Sequence, residues 1–242
     1  MIPSPSPNHG GASEHHYTAH VAYDGCLGAR CATLLSDAGV PVTVGTADSA
    51  HALRPGTGVV IVLATDRPRP QLALGLDAEA WQAGIPWTSG TMIAHEFRIG
   101  PSVIPGHTPC FECWSRRVRS LVSDLDAYDA LDARARSDDG RPWFRGQLAP
   151  ITEQAAALLA AEALTLAERV ETGETASPTR LGCVWEGDAV AGALRVRRFA
   201  RVGVCPRCSA GEHLPVCAST LAEYFRQYPL ALQAPLAAEG TS

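Results

Sequence analysis

Short apolar runs and longer amphipathic stretches alternate along the chain. Thr18 to Tyr23 alternates at the period of a strand, and Ala29 to Asp37 carries Cys31, Leu34 and Leu35 at helical spacing until Gly39 stops it. Val40-Pro41-Val42-Thr43-Val44 reads as a second strand and Val59-Val60-Ile61-Val62-Leu63 as a third, whose unbroken apolar character suits burial on both faces. Strand, helix, strand, strand predicts an α/β fold with a mostly parallel sheet.

After Asp66-Arg67-Pro68 a short helix is expected through Leu72 to Ala83, then a strand beginning at Ile85-Pro86-Trp87-Thr88 and more extended chain through Phe97, Ile99 and Val103 to Ile104. Cys113 to Arg136 reads as a charged helix, and Thr152 to Val170 as a buried one, apolar nearly all round. Asp138-Asp139-Gly140-Arg141-Pro142 separates them. Two strand-like segments, Leu181 to Trp185 and Ala193 to Phe199, precede a last cysteine pair, and a terminal helix is expected at Thr220 to Tyr228. The domain plan is a flexible N-terminal segment at 1–16, one domain at 17–215, and a C-terminal helix and tail at 216–242. The first segment, rich in Pro, Ser, Gly and His, has too little apolar surface to offset the entropy of ordering.

The 242 residues, 46% apolar and 19% charged, suit one main globular domain. No run is long and apolar enough to predict a membrane span, and no signal-peptide pattern opens the chain, so a cytoplasmic setting is expected. A net charge of −5 argues against general nucleic-acid binding. All 20 basic residues are arginine, which excludes a Schiff-base lysine, a P-loop lysine and a lysine phosphate clamp.

Cys110-x-x-Cys113 and Cys205-x-x-Cys208 carry the clearest chemistry. A two-residue spacer lets both sulfurs of a pair converge on one tetrahedral ion, and four thiolates leave no open position, so the expectation is a structural zinc site. The alternative is two redox or unrelated pairs. Cys26, Cys31, Cys183 and Cys217 read as ordinary residues, and the histidines show no ligand spacing.

The turn Asp24-Gly25-Cys26-Leu27-Gly28 lies where a dinucleotide fingerprint would, and supplies only Gly25 and Gly28 of its three glycines. Asp24 there would compete with phosphate at the helix start. Asp66, after the third strand, suits either a magnesium ion or a turn cap. Gly25, Gly28 and Asp66 are thus weak cofactor candidates, a structural turn is preferred, and no catalytic residue is assigned. Arg116, Arg117 and Arg119 suit a solvated helix face or an acidic partner.

Ile99-Gly100-Pro101-Ser102-Val103-Ile104-Pro105-Gly106-His107-Thr108-Pro109-Cys110-Phe111-Glu112-Cys113 resembles the corresponding segment of E1-like, ThiF/MoeB-type proteins of thiazole- and oxazole-forming peptide pathways. The likeness extends back through Val60 to Pro68 and Gly84 to Trp87, and forward to Val204-Cys205-Pro206-Arg207-Cys208. It implies a degenerate Rossmann-like E1 domain with a zinc tetrathiolate on the same four cysteines. It also implies an accessory role beside a YcaO-type cyclodehydratase that itself uses ATP, with a precursor (leader) peptide as the second partner; a homodimer stays open.

Catalytic members of the family set an Asp-x-Asp strand end, an Asn, an Arg-Gln pair and a lysine around ATP, and that set is not found here. Only Ala47 to Gly58 lie between the second and third strands, too few for the usual nucleotide-binding insertion. ATP on this chain is therefore not expected. The family's winged-helix-like leader grip has no counterpart in the sixteen leading residues. Either a separate protein grips the leader, the segment after Cys208 contacts it, or the chain only docks its partners. The rival readings are an active ATP-dependent E1-like adenylyltransferase and a zinc-stabilised interaction module of another pathway.

Overall fold

The computed structural model describes residues 17–52, 58–137, 146, 148–172 and 182–209. The expectations for 1–16, 138–142, 217 and 220–228, and the boundary at 215, lie outside them.

One seven-stranded sheet organises these residues. The chain runs β1 (Thr18–Asp24), α1 (Cys26–Asp37), β2 (Val42–Thr46), a 3-10 turn (Ala47–Ala52), β3 (Val59–Thr65), α2 (Pro70–Ala83), β4 (Trp87–Ile93) and β5 (Glu96–Ile99). It continues through α3 (Phe111–Leu121), α4 (Leu125–Arg136), α5 (Ala149–Thr172), β6 (Cys183–Asp188) and β7 (Ala193–Arg198). The order across the sheet is β2-β1-β3-β4-β5-β6-β7. The parallel pattern read from the sequence holds through β2, β1, β3 and β4; β5, β6 and β7 are antiparallel, so the sheet is mixed. A tight turn at Ala94-His95 reverses the chain after β4, where a parallel strand would have needed a longer crossover.

The central strands are buried on both faces. Val60, Val62 and Ala64 of β3 join Leu27, Leu35, Leu159 and Leu166 on one side, while Ile61 and Leu63 meet Leu76, Trp87 and Phe111 on the other. Helices α1 and α5 therefore cover one face and α2 the other. The charged helix expected over Cys113 to Arg136 is two helices. Val122 is extended, and the Asp124 carboxylate accepts a bond from the Ala127 N–H at 2.9 Å, a local cap that starts α4 anew. The long helix α5 buries one carboxylate, Glu162, which accepts from Ser102 Oγ at 2.7 Å and Trp185 Nε1 at 3.1 Å and so ties the helix to β6.

Candidate functional site

The fold brings the two cysteine pairs together. Cys110 stands in extended conformation just ahead of α3, Cys113 lies in that helix's first turn, and Cys205 and Cys208 lie in the turn that follows β7. Cys110 Sγ is 3.5 Å from Cys205 Sγ, Cys113 Sγ is 3.3 Å from Cys208 Sγ, and all four sulfurs lie within 4.8 Å of one another. A tetrahedral ion bound at about 2.3 Å would set sulfurs about 3.8 Å apart, within the span of this cluster, so it can hold a metal ion. Cys110, Cys113 and Cys205 are buried. Among the free thiols, the hydrogen bond from Cys110 holds Cys113 down to about 5, the same contact and burial push Cys110 up, and burial raises Cys208 to about 11. The Val202 N–H donates to Cys113 Sγ at 3.3 Å, and the helix N-terminus adds positive potential, both favouring thiolate.

Two further residues lock this centre to the sheet. Asp77, wholly buried on α2, accepts from the N–H groups of Phe111 at 3.2 Å and Glu112 at 3.4 Å, which begin α3. Its Oδ2 also lies 3.0 Å from Arg207 Nε, inside the second cysteine turn, and Arg207 in turn donates to the Leu74 carbonyl at 3.4 Å. Burial pushes the Asp77 carboxyl up, against the pull of Phe111 and Arg207. One carboxylate thus joins α2, α3 and the second pair. The sequence carried only a faint signal for it: one of two acids in α2, set at helical spacing among the buried Ala73, Leu76 and Ala80, and an arginine between two ligand candidates.

Strand order reverses between β1 and β3, the place where ligands enter open α/β sheets. Here the N-terminus of α1 is already filled. The Asp66 carboxylate accepts from the N–H of Cys26 at 2.6 Å and of Leu27 at 3.1 Å, taking donors a phosphate would use. The acid expected to oppose phosphate, Asp24, instead accepts from the Asp66 N–H at 2.9 Å and faces Arg69 at 3.3 Å, so it holds Asp66 in place.

The glycines serve this packing. A Cβ on Gly25, at φ +81°, would lie 1.8 Å from Asp66 Oδ2, and one on Gly28 would lie 2.1 Å from Tyr23 Cβ. Gly28→Ala is therefore expected to lower unfolding free energy by about 1–3 kcal/mol, read by urea denaturation. A variant as stable as the parent would contradict the close helix–strand contact.

A cleft of about 310 Å³ opens at the carboxyl ends of β3 and β4 beneath α3 and α4. Phe111, Trp114, Tyr128 and Leu131 give it apolar walls, Thr65 and Thr91 add hydroxyls, and the Arg98 guanidinium sits 4.8 Å over the Trp114 ring. Burial lowers the Arg98 pKa, and Glu186 at 3.7 Å opposes that shift. Of the three arginines after the first pair, Arg116 bonds Glu112, Arg117 the Arg201 carbonyl and Arg119 Asp129, so each has a partner within the chain. Among the histidines, His95 gathers with Glu96 and Asp188 on the surface, a grouping that spacing along the chain did not reveal. Cys31 is buried, which raises its thiol to about 12, and Cys26 is exposed. No described helix is long and apolar enough to cross a membrane.

Fold and site together define a mixed-sheet α/β protein with a buried four-cysteine cluster that can hold a metal ion. No protein-family model and no curated protein matches the sequence. Among solved structures the chain is similar to a heterocyclase in complex with substrate and cofactor, with a TM-score of 0.63 at 19% identity over 80% of this chain and 26% of that one. It is similar to the heterocyclase TruD, at 0.59 and 24% over 79% and 27%, and to E. coli MccB with selenomethionine MccA, at 0.56 and 16% over 81% and 67%. At these identities the likeness is one of fold, and the chain spans about a quarter of the length of the two heterocyclases.

Proposed function

We propose that this chain is a non-catalytic accessory protein with a degenerate Rossmann-like E1 domain, acting beside a YcaO-type cyclodehydratase during azoline formation on a ribosomally made precursor peptide. The observation that carries the reading is the Asp66 carboxylate on the first N–H groups of α1. A nucleotide would have to displace it and then meet its charge, with no lysine anywhere in the chain to offset the phosphates. The fold likeness to heterocyclases supports the peptide-modifying setting. Zinc held by Cys110, Cys113, Cys205 and Cys208 would have a closed tetrathiolate shell, so its contribution is folding energy. The apolar cleft beneath α3 and α4 suits a peptide side chain, and holding peptide and enzyme together would raise their effective concentration.

ATP–pyrophosphate exchange tests this directly. The folded, zinc-loaded chain is expected to catalyse none, alone or with candidate peptides, and to accelerate azoline formation when added to a YcaO enzyme and its precursor. Exchange above the protein-free blank would instead establish an active adenylyltransferase. No exchange together with no effect on a YcaO enzyme would favour an interaction module of another pathway.

A further inference from the structure

We propose that His95, Glu96 and Asp188 form a second metal site, which takes a divalent transition cation of the zinc class and releases it reversibly. The inference rests on these three side chains and does not require the azoline reading. Their ligand atoms, an imidazole nitrogen and two carboxylate oxygens, all lie within 4.8 Å of one another. An ion about 2.1 Å from each would set them about 3.4 Å apart, within the span of this group. His95 Nε2 already lies 3.9 Å from Asp188 Oδ1.

Two neighbouring turns build the group. His95 belongs to the tight turn between β4 and β5, Glu96 opens β5, and Asp188 ends β6 just before the turn into β7. The Ala189 N–H donates to the His95 carbonyl at 3.0 Å and ties one turn to the other. Asp188 Oδ1 accepts from the N–H groups of Val190 at 2.9 Å and Ala191 at 3.0 Å, which fixes the direction of its carboxylate. The group is separate from the cysteine centre, because Asp188 stands beside Ala193, where β7 begins, whereas β7 reaches the cysteine turn from its other end at Arg198.

The charges on this face favour a cation that forms bonds over one held by attraction alone. Glu96 and Asp188 stand directly opposite each other across β5 and β6, and like charges so placed repel. The same face carries Glu186 and the arginines Arg98, Arg195 and Arg197, so its charges are near balance. Glu186 bonds Arg197, lies 3.7 Å from Arg98 and stands across from Arg195. A magnesium ion, which gives up its water reluctantly, gains little from such a face. An imidazole beside two carboxylates suits zinc, cobalt, nickel or copper, whose bonds to nitrogen supply the selectivity. Three protein ligands leave a coordination position to water, and His95 and Glu96 are exposed, so the ion exchanges with solvent.

The test uses the full, zinc-loaded chain carrying H15A and H16A, which remove the adjacent imidazoles of the N-terminal segment, and Co2+ as the probe. Cobalt is expected to bind at about one ion per chain beyond the zinc, without a sulfur charge-transfer band, because its ligands are nitrogen and oxygen. Its unpaired electrons are expected to broaden the amide NMR signals around 95, 96 and 188. H95A, E96Q and D188N are each expected to weaken binding at least about tenfold, and D188N keeps an oxygen for the Val190 and Ala191 N–H groups. Mg2+ is expected to displace cobalt at least about tenfold less well than Zn2+. The proposal is overturned by absence of saturable cobalt binding, by unchanged affinity in any of the three variants, by broadening confined elsewhere, by Mg2+ competing as well as Zn2+, or by a sulfur band that places cobalt in the cysteine centre. Circular dichroism of the three variants keeps a folding defect from passing as a binding result.

Discussion

Cys110→Ser, or equally Cys205→Ser, is expected to empty the four-sulfur centre of metal and to abolish cooperative unfolding. Structural zinc sites contribute about 10–16 kcal/mol of apparent binding energy near pH 7, and a domain has about 5–15 kcal/mol of net stability, so losing the site removes as much as folding supplies. The geometry explains why. The close sulfur contacts each join residues 95 apart along the chain, and the links beside them, Val202 N–H to Cys113 Sγ and Arg117 to the Arg201 carbonyl, depend on the same turn keeping its place. Without a cation, buried sulfurs this close together cannot all ionise, since Cys110 and Cys208 are driven up while Cys113 is driven down. Elemental analysis should find about one zinc per wild-type chain and none in the variants, and a chelator should reproduce their loss of a melting transition. A wild type that is metal-free and folded, or that melts unchanged after chelation, would refute the site.

Asp77→Ala is expected to cost about 3–5 kcal/mol by urea denaturation, because it leaves Arg207 facing a buried, uncompensated position and strips the cap from α3. Arg207→Ala should cost less, since Asp77 keeps the Phe111 and Glu112 N–H bonds that cap α3. The double variant should be more stable than the sum of the two losses predicts, because removing both partners leaves no orphaned charge. Additive losses would mean that the pair is not coupled. An Asp77→Ala variant within about 0.5 kcal/mol of the parent would show that this carboxylate does not join the elements.

Much of the parallel half of the sheet was legible from short extended segments spaced by a helix, of which β3 alone is an unbroken apolar run. The β3 run Val59 to Leu63 needed no knowledge of its neighbours, and α5 could be read as buried from its alanine and leucine content. The antiparallel half was harder to see. The extended segments of β5, β6 and β7 were read, but β5 is four residues long and β7 is mostly exposed, so nothing local set their antiparallel direction. The site divided in the same way. Four cysteines in two spaced pairs mark a cluster that could hold a metal ion, whereas Asp66 was only one acid after a strand, open to being a magnesium ligand or a cap.

By itself, then, the sequence determined the two cysteine pairs and their spacing, the absence of lysine and the alternation of strand and helix, since each is a property of residue types or of spacings of a few positions. Only the tertiary structure decided that Asp66 caps α1 from 40 residues away, that Asp77 reaches the start of α3 across 34, and that β7 is the last strand of the sheet among the described residues. Those outcomes depend on register and strand order, which bring distant segments within hydrogen-bond reach. A bond of about 3 Å has no signature in local periodicity when its partners are set by how the whole sheet closes.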